Sequence, residues 1–237
     1  MTTTPAPPRW GLGDLVLGLV AGYALASLMA GVWFAVSGDE ELGLAGQAFT
    51  QVGLWTGMVG AVVLASRRKG AGRLGDDFGF RARWSDLVLG ALVALAVQLL
   101  VLPGLAFLLR PLLGKPEVSG PVRDLLDKAQ GPAFLGLVVS VAVGAPIVEE
   151  LFFRGLLLRS LQRRMPDGLA VALSAVAFGL AHGSTLPADA VVLVMVSLTG
   201  FGAVLAVLAI RTGRLGPGMV AHAVFNLFTV LYLTFNG

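Results

Sequence analysis

Apolar residues form long continuous stretches along this chain, and short polar or charged blocks separate them. Seven stretches are long enough for helices in lipid, since about 20 helical residues cross the hydrocarbon of a bilayer. Strands of a membrane barrel would instead alternate apolar and polar residues over about 10 positions. The pattern predicts an all-α, polytopic transmembrane bundle with spans near 13–36, 44–66, 85–109, 132–158, 168–184, 189–210 and 215–235.

Two segments outside these stretches have their own predictions. Residues 1–12 begin with a polar, proline-rich sequence, which is typical of a disordered tail. Residues 121–129 (PVRDLLDKA) alternate charged and apolar positions at helical spacing. They predict a short amphipathic helix, interfacial or re-entrant, which would be an eighth helix of the bundle.

Composition agrees with a membrane protein. Apolar residues make up 56% of the chain and charged residues 13%, whereas a soluble domain has about 25% charged residues. The absence of cysteine excludes disulfides, thiol catalysis and cysteine-ligated metals. No basic stripe interleaved with aromatic residues is present, so we expect no nucleic-acid partner.

The distribution of basic residues predicts the orientation. If the N-terminus lies inside, the inside segments contain twelve Lys and Arg residues and the outside segments four. Cytoplasmic loops carry the excess of Lys and Arg. We therefore expect a multi-pass protein with a cytoplasmic N-terminus and an external C-terminus.

Three ionisable residues interrupt the fourth span, in the sequence GAPIVEELFFRGLLL. Each costs roughly 2.5–3.5 kcal/mol to insert, so such residues indicate a functional site. Glu150 and Arg154 are four residues apart and share a helix face, which allows them to pair. Glu149 is turned by about 100° from Glu150 and can point into a cavity. The alternative is a purely structural salt bridge, although a single arginine leaves one carboxylate without a partner.

Both histidines of the chain also lie in predicted spans. His182 follows Phe178 by one helical turn, and His222 precedes Asn226 by one turn. A glutamate and a histidine can activate a water, while the second histidine and the asparagine can stabilise an oxyanion. The same glutamate and two histidines could instead hold zinc, although the usual H-E-x-x-H spacing is absent.

The expected depths of these residues agree only in part. Glu149 lies about 15 Å from Arg159, and His222 about 12 Å from Arg214, at 1.5 Å per helical residue. His182 lies about 22 Å from Asp167 by the same measure. The fifth helix should therefore begin above the membrane surface or tilt.

The ordered motifs resemble the CAAX-protease and bacteriocin-processing family of membrane endopeptidases. They are Glu149-Glu150-x-x-x-Arg154, Phe178-x-x-x-His182 and His222-x-x-x-Asn226. The resemblance covers about residues 131–230. It divides the chain into N-terminal transmembrane helices at 13–130 and a catalytic transmembrane domain at 131–235.

The resemblance implies a role for each motif residue. Glu149 and His182 would activate the water, and His222 and Asn226 would support the oxyanion. The structural or orienting residues would be Glu150, Arg154 and Phe178. The implied activity is glutamate-type intramembrane proteolysis without a cofactor, with zinc on Glu149, His182 and His222 as the alternative.

The expected partners are membrane lipid and a peptide or membrane-protein substrate, in the plasma membrane of a bacterium. Two other functions fit the same residues. The protein could be a non-enzymatic membrane scaffold or immunity protein of that family. It could also be a proton-coupled transporter, because buried Glu and His residues relay protons. The chain shows no inverted repeat, which argues against a transporter.

Overall fold

The computed structural model describes residues 8–113, 120–183 and 191–236. Within these ranges the chain forms nine helices and no strands. The helices are α1 (Leu12–Ser37), α2 (Leu44–Lys69), α3 (Leu74–Phe78), α4 (Ser85–Leu112), α5 (Gly120–Lys128), α6 (Pro132–Gln162), α7 (Asp167–Ala181), α8 (Val191–Thr212) and α9 (Gly216–Phe235).

Six of the described helices are long and apolar enough to cross a membrane: α1, α2, α4, α6, α8 and α9. The predicted fifth span corresponds to α7, whose 15 residues reach about 22 Å, short of a hydrocarbon core about 30 Å thick. Positions 184, 189 and 190 of the predicted spans lie outside the described residues. The predicted all-α, multi-pass fold is confirmed, with six spans and one shorter apolar helix in the described ranges.

The outward faces of the long helices are apolar. Val20, Leu92 and Leu100 are 61%, 63% and 72% exposed. In water such residues would form an unfavourable surface, but lipid solvates them. The amphipathic helix predicted at 121–129 is present as α5.

Helix α6 lies at the centre of the bundle. All nine residues of Glu150–Leu158 are buried, on every side of the helix. The segment contacts α1, α2, α3, α7 and α8. It forms π-helical turns, which are rare and often occur at functional sites. A second π turn of α6 covers Ser140–Gly144.

The length of α6 explains the depth of His182. The helix continues past the predicted end at 158 to Gln162. Glu149 therefore lies about 20 Å from the end of α6, close to the 22 Å or so between Asp167 and His182. Because α7 begins directly after this end, the two residues reach the same level of the bundle.

The segments predicted to share the cytoplasmic side meet at one end of the bundle, here called the basic end. The Arg9 N–H donates to the Lys69 carbonyl at 2.7 Å. The Leu215 N–H donates to the Gly79 carbonyl at 2.8 Å. Gly79 ends α3 with a φ of 69°. Residues with a side chain rarely adopt this left-handed conformation, whereas glycine adopts it readily. These contacts join the N-terminal segment, the segment around α3, and the α8–α9 loop.

Part of the predicted tail at 1–12 is packed against the basic end. Residues 1–7 lie outside the described residues, but Trp10 is only 4% exposed. Its indole N–H donates to Asp77 at 3.2 Å, and the Arg163 guanidinium stacks on its ring at 4.0 Å. The residues just before α1 therefore tie the α6–α7 connection to α3.

Candidate active site

The two adjacent glutamates of α6 point to different neighbours. The Glu149 side chain is 17% exposed, whereas Glu150 is fully buried. Glu149 faces the two histidines, and Glu150 faces Arg154 and one edge of His222. The turn of about 100° between consecutive helical residues accounts for this divergence.

His182 stands at the end of α7 and presents one ring nitrogen to Glu149. Its Nδ1 lies 2.8 Å from the Phe178 carbonyl. A carbonyl only accepts, so Nδ1 carries the proton in this bond. Nε2 then faces Glu149, 3.6 Å from Oε2. The one-turn spacing of the second motif thus orients the imidazole.

His222 lies between the two glutamates. Its Nε2 is 3.8 Å from Glu149 Oε2, and its Nδ1 is 3.4 Å from Glu150 Oε1. The ring meets those of Phe178 and Phe201 edge-on, each with a centroid distance of 5.6 Å. This packing leaves the His222 side chain 5% exposed.

A buried ion pair lies on the other side of Glu150. Arg154 Nη1 donates to Glu150 Oε1 at 2.9 Å, and Nη2 donates to the Gly202 carbonyl at 3.1 Å. The guanidinium carbon lies 4.2 Å from the centre of the Phe178 ring, a cation–π distance. Gly218 of α9 leaves room for the carboxylate, because a Cβ there would lie 2.8 Å from Glu150 Oε2.

Asn226 follows His222 by one turn of α9, and its hydrogen bond goes to the α6 backbone. Its Nδ2 donates to the Val141 carbonyl at 2.8 Å. The structure therefore brings Glu149, Glu150, His182 and His222 together, and it places Asn226 against a π turn of α6. An amide nitrogen has two N–H donors, so one remains for another acceptor.

Several buried polar atoms of the site have no hydrogen-bond partner in the described part of the chain. They include Glu149 Oε2, Glu150 Oε2 and His222 Nδ1. Unsatisfied buried polar groups are uncommon in native proteins. These atoms cluster around His222. They could form hydrogen bonds with a water or with a polar group of a substrate.

The zinc alternative has a geometric requirement of its own. Among the described residues, no group of three or more His, Asp or Glu side chains has the arrangement of a metal site. A zinc site needs ligand atoms that converge at about 2.0–2.2 Å from one point.

Gln98, a polar residue inside the third predicted span, was not among the predicted site residues. Its Nε2 donates to the Phe225 carbonyl at 3.1 Å and to Thr229 Oγ1 at 2.7 Å. Phe225 immediately precedes Asn226. A lone amide in an apolar run was the signal, since membrane-embedded polar residues usually bridge helices.

Comparison with protein families finds a similarity in the C-terminal part of the chain. Residues 131–228 match the family model described as type II CAAX prenyl endopeptidase Rce1-like. The match confirms the resemblance drawn from the motifs, and it spans Glu149 to Asn226. This part of the chain is similar to the Rce1-like family of CAAX membrane endopeptidases. Neither the comparison with curated proteins nor that with solved structures found a match.

Proposed function

We propose that this protein is an intramembrane endopeptidase in which Glu149 and His182 activate the attacking water. The family match supports intramembrane protease activity in general. The roles of Glu149 and His182 are supported by the position of Glu149. Its Oε2 lies 3.6 Å from Nε2 of His182 and 3.8 Å from Nε2 of His222.

These distances suit a shared water better than direct bonds. Hydrogen bonds between N–H and oxygen span about 2.7–3.2 Å, and polar groups more than about 3.5 Å apart are commonly bridged by water. With Nδ1–H of His182 committed to Phe178, its Nε2 can accept a hydrogen bond from that water. Glu149 accepts the other proton and serves as the general base.

The attack forms a tetrahedral intermediate. The water oxygen bonds to the peptide carbonyl carbon, its proton moves to Glu149, and the carbonyl oxygen becomes an oxyanion. His222 Nε2 and the second N–H of Asn226 are the proposed donors to that oxyanion. The intermediate collapses when the C–N bond breaks and Glu149 returns the proton to the departing nitrogen. The products are a new amine and a new carboxylic acid, which keeps the second proton of the water until it ionises to the carboxylate in solution.

Glu150 and Arg154 act on this chemistry through His222. Glu150 contacts the Nδ1 edge of the ring at 3.4 Å, and Arg154 holds the Glu150 carboxylate. Such outer contacts fix the orientation of a reacting imidazole. They also keep the buried Glu150 charge paired.

Cleavage of a defined peptide tests the proposal. The probe is a fluorogenic farnesylated peptide ending in Cys-aliphatic-aliphatic-X, because the family name refers to such prenylated substrates. Glu149→Gln keeps the size of the side chain but removes the base, so the rate should fall about 10²–10⁴-fold. Glu41→Gln, an exposed glutamate in the α1–α2 loop, is the matched control. Equal cleavage by wild type and Glu149→Gln rejects the mechanism.

The same assay tests the role of metal. Because the usual H-E-x-x-H spacing of zinc proteases is absent, we expect activity to survive exhaustive chelation. Elemental analysis of the active protein should find no stoichiometric zinc. Loss of activity on chelation, restored by added Zn²⁺, contradicts this expectation.

We also propose that the basic end faces the cytoplasm. Its excess of Lys and Arg supports this orientation. The chain has no cysteine, so single-cysteine variants report accessibility without background. A membrane-impermeant maleimide should label Glu40→Cys on intact cells, and Arg73→Cys only after lysis. The reverse labelling pattern requires the opposite orientation.

A further inference from the structure

Asn226 is held by a main-chain carbonyl that helix α6 itself cannot use. Within the π turn Ser140–Gly144, the Ala145 N–H bonds to the carbonyl five residues earlier. In that register the donor to Val141 would be the N–H of residue 146. Residue 146 is proline, which has no N–H. The Val141 carbonyl is therefore left for a side chain, and the Asn226 amide donates to it at 2.8 Å.

We propose that Pro146, through the Val141 carbonyl, is a positioning residue for Asn226. A carbonyl only accepts hydrogen bonds, so the nitrogen of the Asn226 amide must face it. That contact fixes the positions of the amide oxygen and nitrogen of Asn226. It thereby also fixes the direction in which the second N–H points. The inference rests on the proposed function, in which this N–H meets the oxyanion.

Helix α4 also packs against α9 and contains a similar arrangement. Its π turn, Val97–Val101, also has a proline five residues after its second position, at Pro103. That second position is Gln98, whose side chain donates to the Phe225 carbonyl. Two π turns with prolines thus contact α9 at the adjacent residues Phe225 and Asn226. Hydrogen bonds at the π turns of α4 and α6 therefore both hold α9 at Phe225 and Asn226.

Nuclear magnetic resonance can test the hydrogen bond from Asn226 to the Val141 carbonyl without any substrate. The chain has two asparagines, Asn226 and Asn236, so ¹⁵N-asparagine labelling gives two side-chain amide signals. Asn226 should show one slowly exchanging amide proton in the wild-type protein in detergent. Asn236, an exposed residue at the end of α9, is the internal reference. If both amides exchange equally fast in the wild type, the proposal is overturned.

The Pro146→Ala variant supplies the missing N–H, which then competes for the Val141 carbonyl. We expect the Asn226 signals to move and to exchange faster, while those of Asn236 stay in place. Pro111→Ala, at a proline elsewhere in a helix, is the matched control and should move neither amide. Unchanged Asn226 signals in Pro146→Ala overturn the proposal.

Kinetics separate positioning from general stability. Pro146→Ala should lower kcat by about two- to twelve-fold, the range of one hydrogen bond, with KM unchanged. The double variant Pro146→Ala/Asn226→Ala should be no slower than Asn226→Ala alone, because Pro146 acts through Asn226. Multiplied losses mean that Pro146 acts elsewhere and overturn the proposal. If Asn226→Ala cleaves at the wild-type rate, the oxyanion role fails, and the resonance measurement still decides the positioning.

Discussion

Replacing Arg154 with methionine should destabilise the protein far more than an ordinary loss of charge. The guanidinium is fully buried, with Glu150 at 2.9 Å and the Gly202 carbonyl at 3.1 Å. It also lies over the Phe178 ring. Methionine keeps an unbranched apolar chain in this space but supplies neither the charge nor the donors.

The expected magnitude follows from what is left behind. Glu150 is as deeply buried as Arg154, so the single variant leaves a carboxylate without its partner. Breaking a buried pair from one side costs about 3–5 kcal/mol. Removing both charges, with Glu150→Gln and Arg154→Met together, leaves no unpaired charge. The double variant should therefore be more stable than the sum of the single losses by about 2 kcal/mol.

The assay is reversible unfolding of the purified protein in mixed micelles, with SDS as the denaturant and helical circular dichroism as the signal. Arg211→Met removes an exposed cation near the end of α8 and serves as the control. Additive losses in the double variant refute the argument that Glu150 and Arg154 form one unit. So does a stability of Arg154→Met within 1 kcal/mol or so of the control.

Three further outcomes are expected. Burial raises the pKa of Asp77, but hydrogen bonds, first that from Ser66, outweigh it and lower the pKa below 3.8. Its contribution to stability is present above the unfolded value and is lost as the pH falls through the lower folded value. The stability advantage of wild type over Asp77→Asn should therefore shrink below about pH 4 in acid titrations of unfolding. Gly218→Ala should displace Glu150 and destabilise by about 1–3 kcal/mol in SDS unfolding, and an unchanged midpoint contradicts the close contact. Gln98→Leu should cost about 1 kcal/mol by the same method, from two interhelical bonds, and no loss means these bonds contribute nothing.

The local features of the site were predictable from the sequence. Helical spacing alone placed Glu150 beside Arg154 and turned Glu149 elsewhere, and the structure has this arrangement. The apolar pattern predicted the spans, because lipid demands continuous apolar helices. The amphipathic pattern likewise predicted α5. Each of these inferences depends on residues close together in the chain.

Features that depend on distant partners were not predictable in this way. The length of α6 was underestimated because Arg159 was taken to mark the membrane boundary. In the structure, Arg159 donates to the Gly213 carbonyl, and the helix continues beyond it. Trp10 was assigned to a disordered tail, since its partner Asp77 is 67 residues away. The hydrogen bond from Asn226 to Val141 depends on a π turn, and hydropathy does not reveal where such turns occur.

The central position of α6 has a consequence for how the chain is made. Its charged residues leave the ribosome well before α8, which supplies the Gly202 carbonyl, and before α9, which supplies His222. At about 5–20 residues per second, the 48 residues between Arg154 and Gly202 take about 2–10 s to synthesise. During that interval α6 would face lipid with polar groups unsatisfied, at several kcal/mol each. We expect α6 to remain beside the insertion machinery, or a chaperone, until the last two helices arrive.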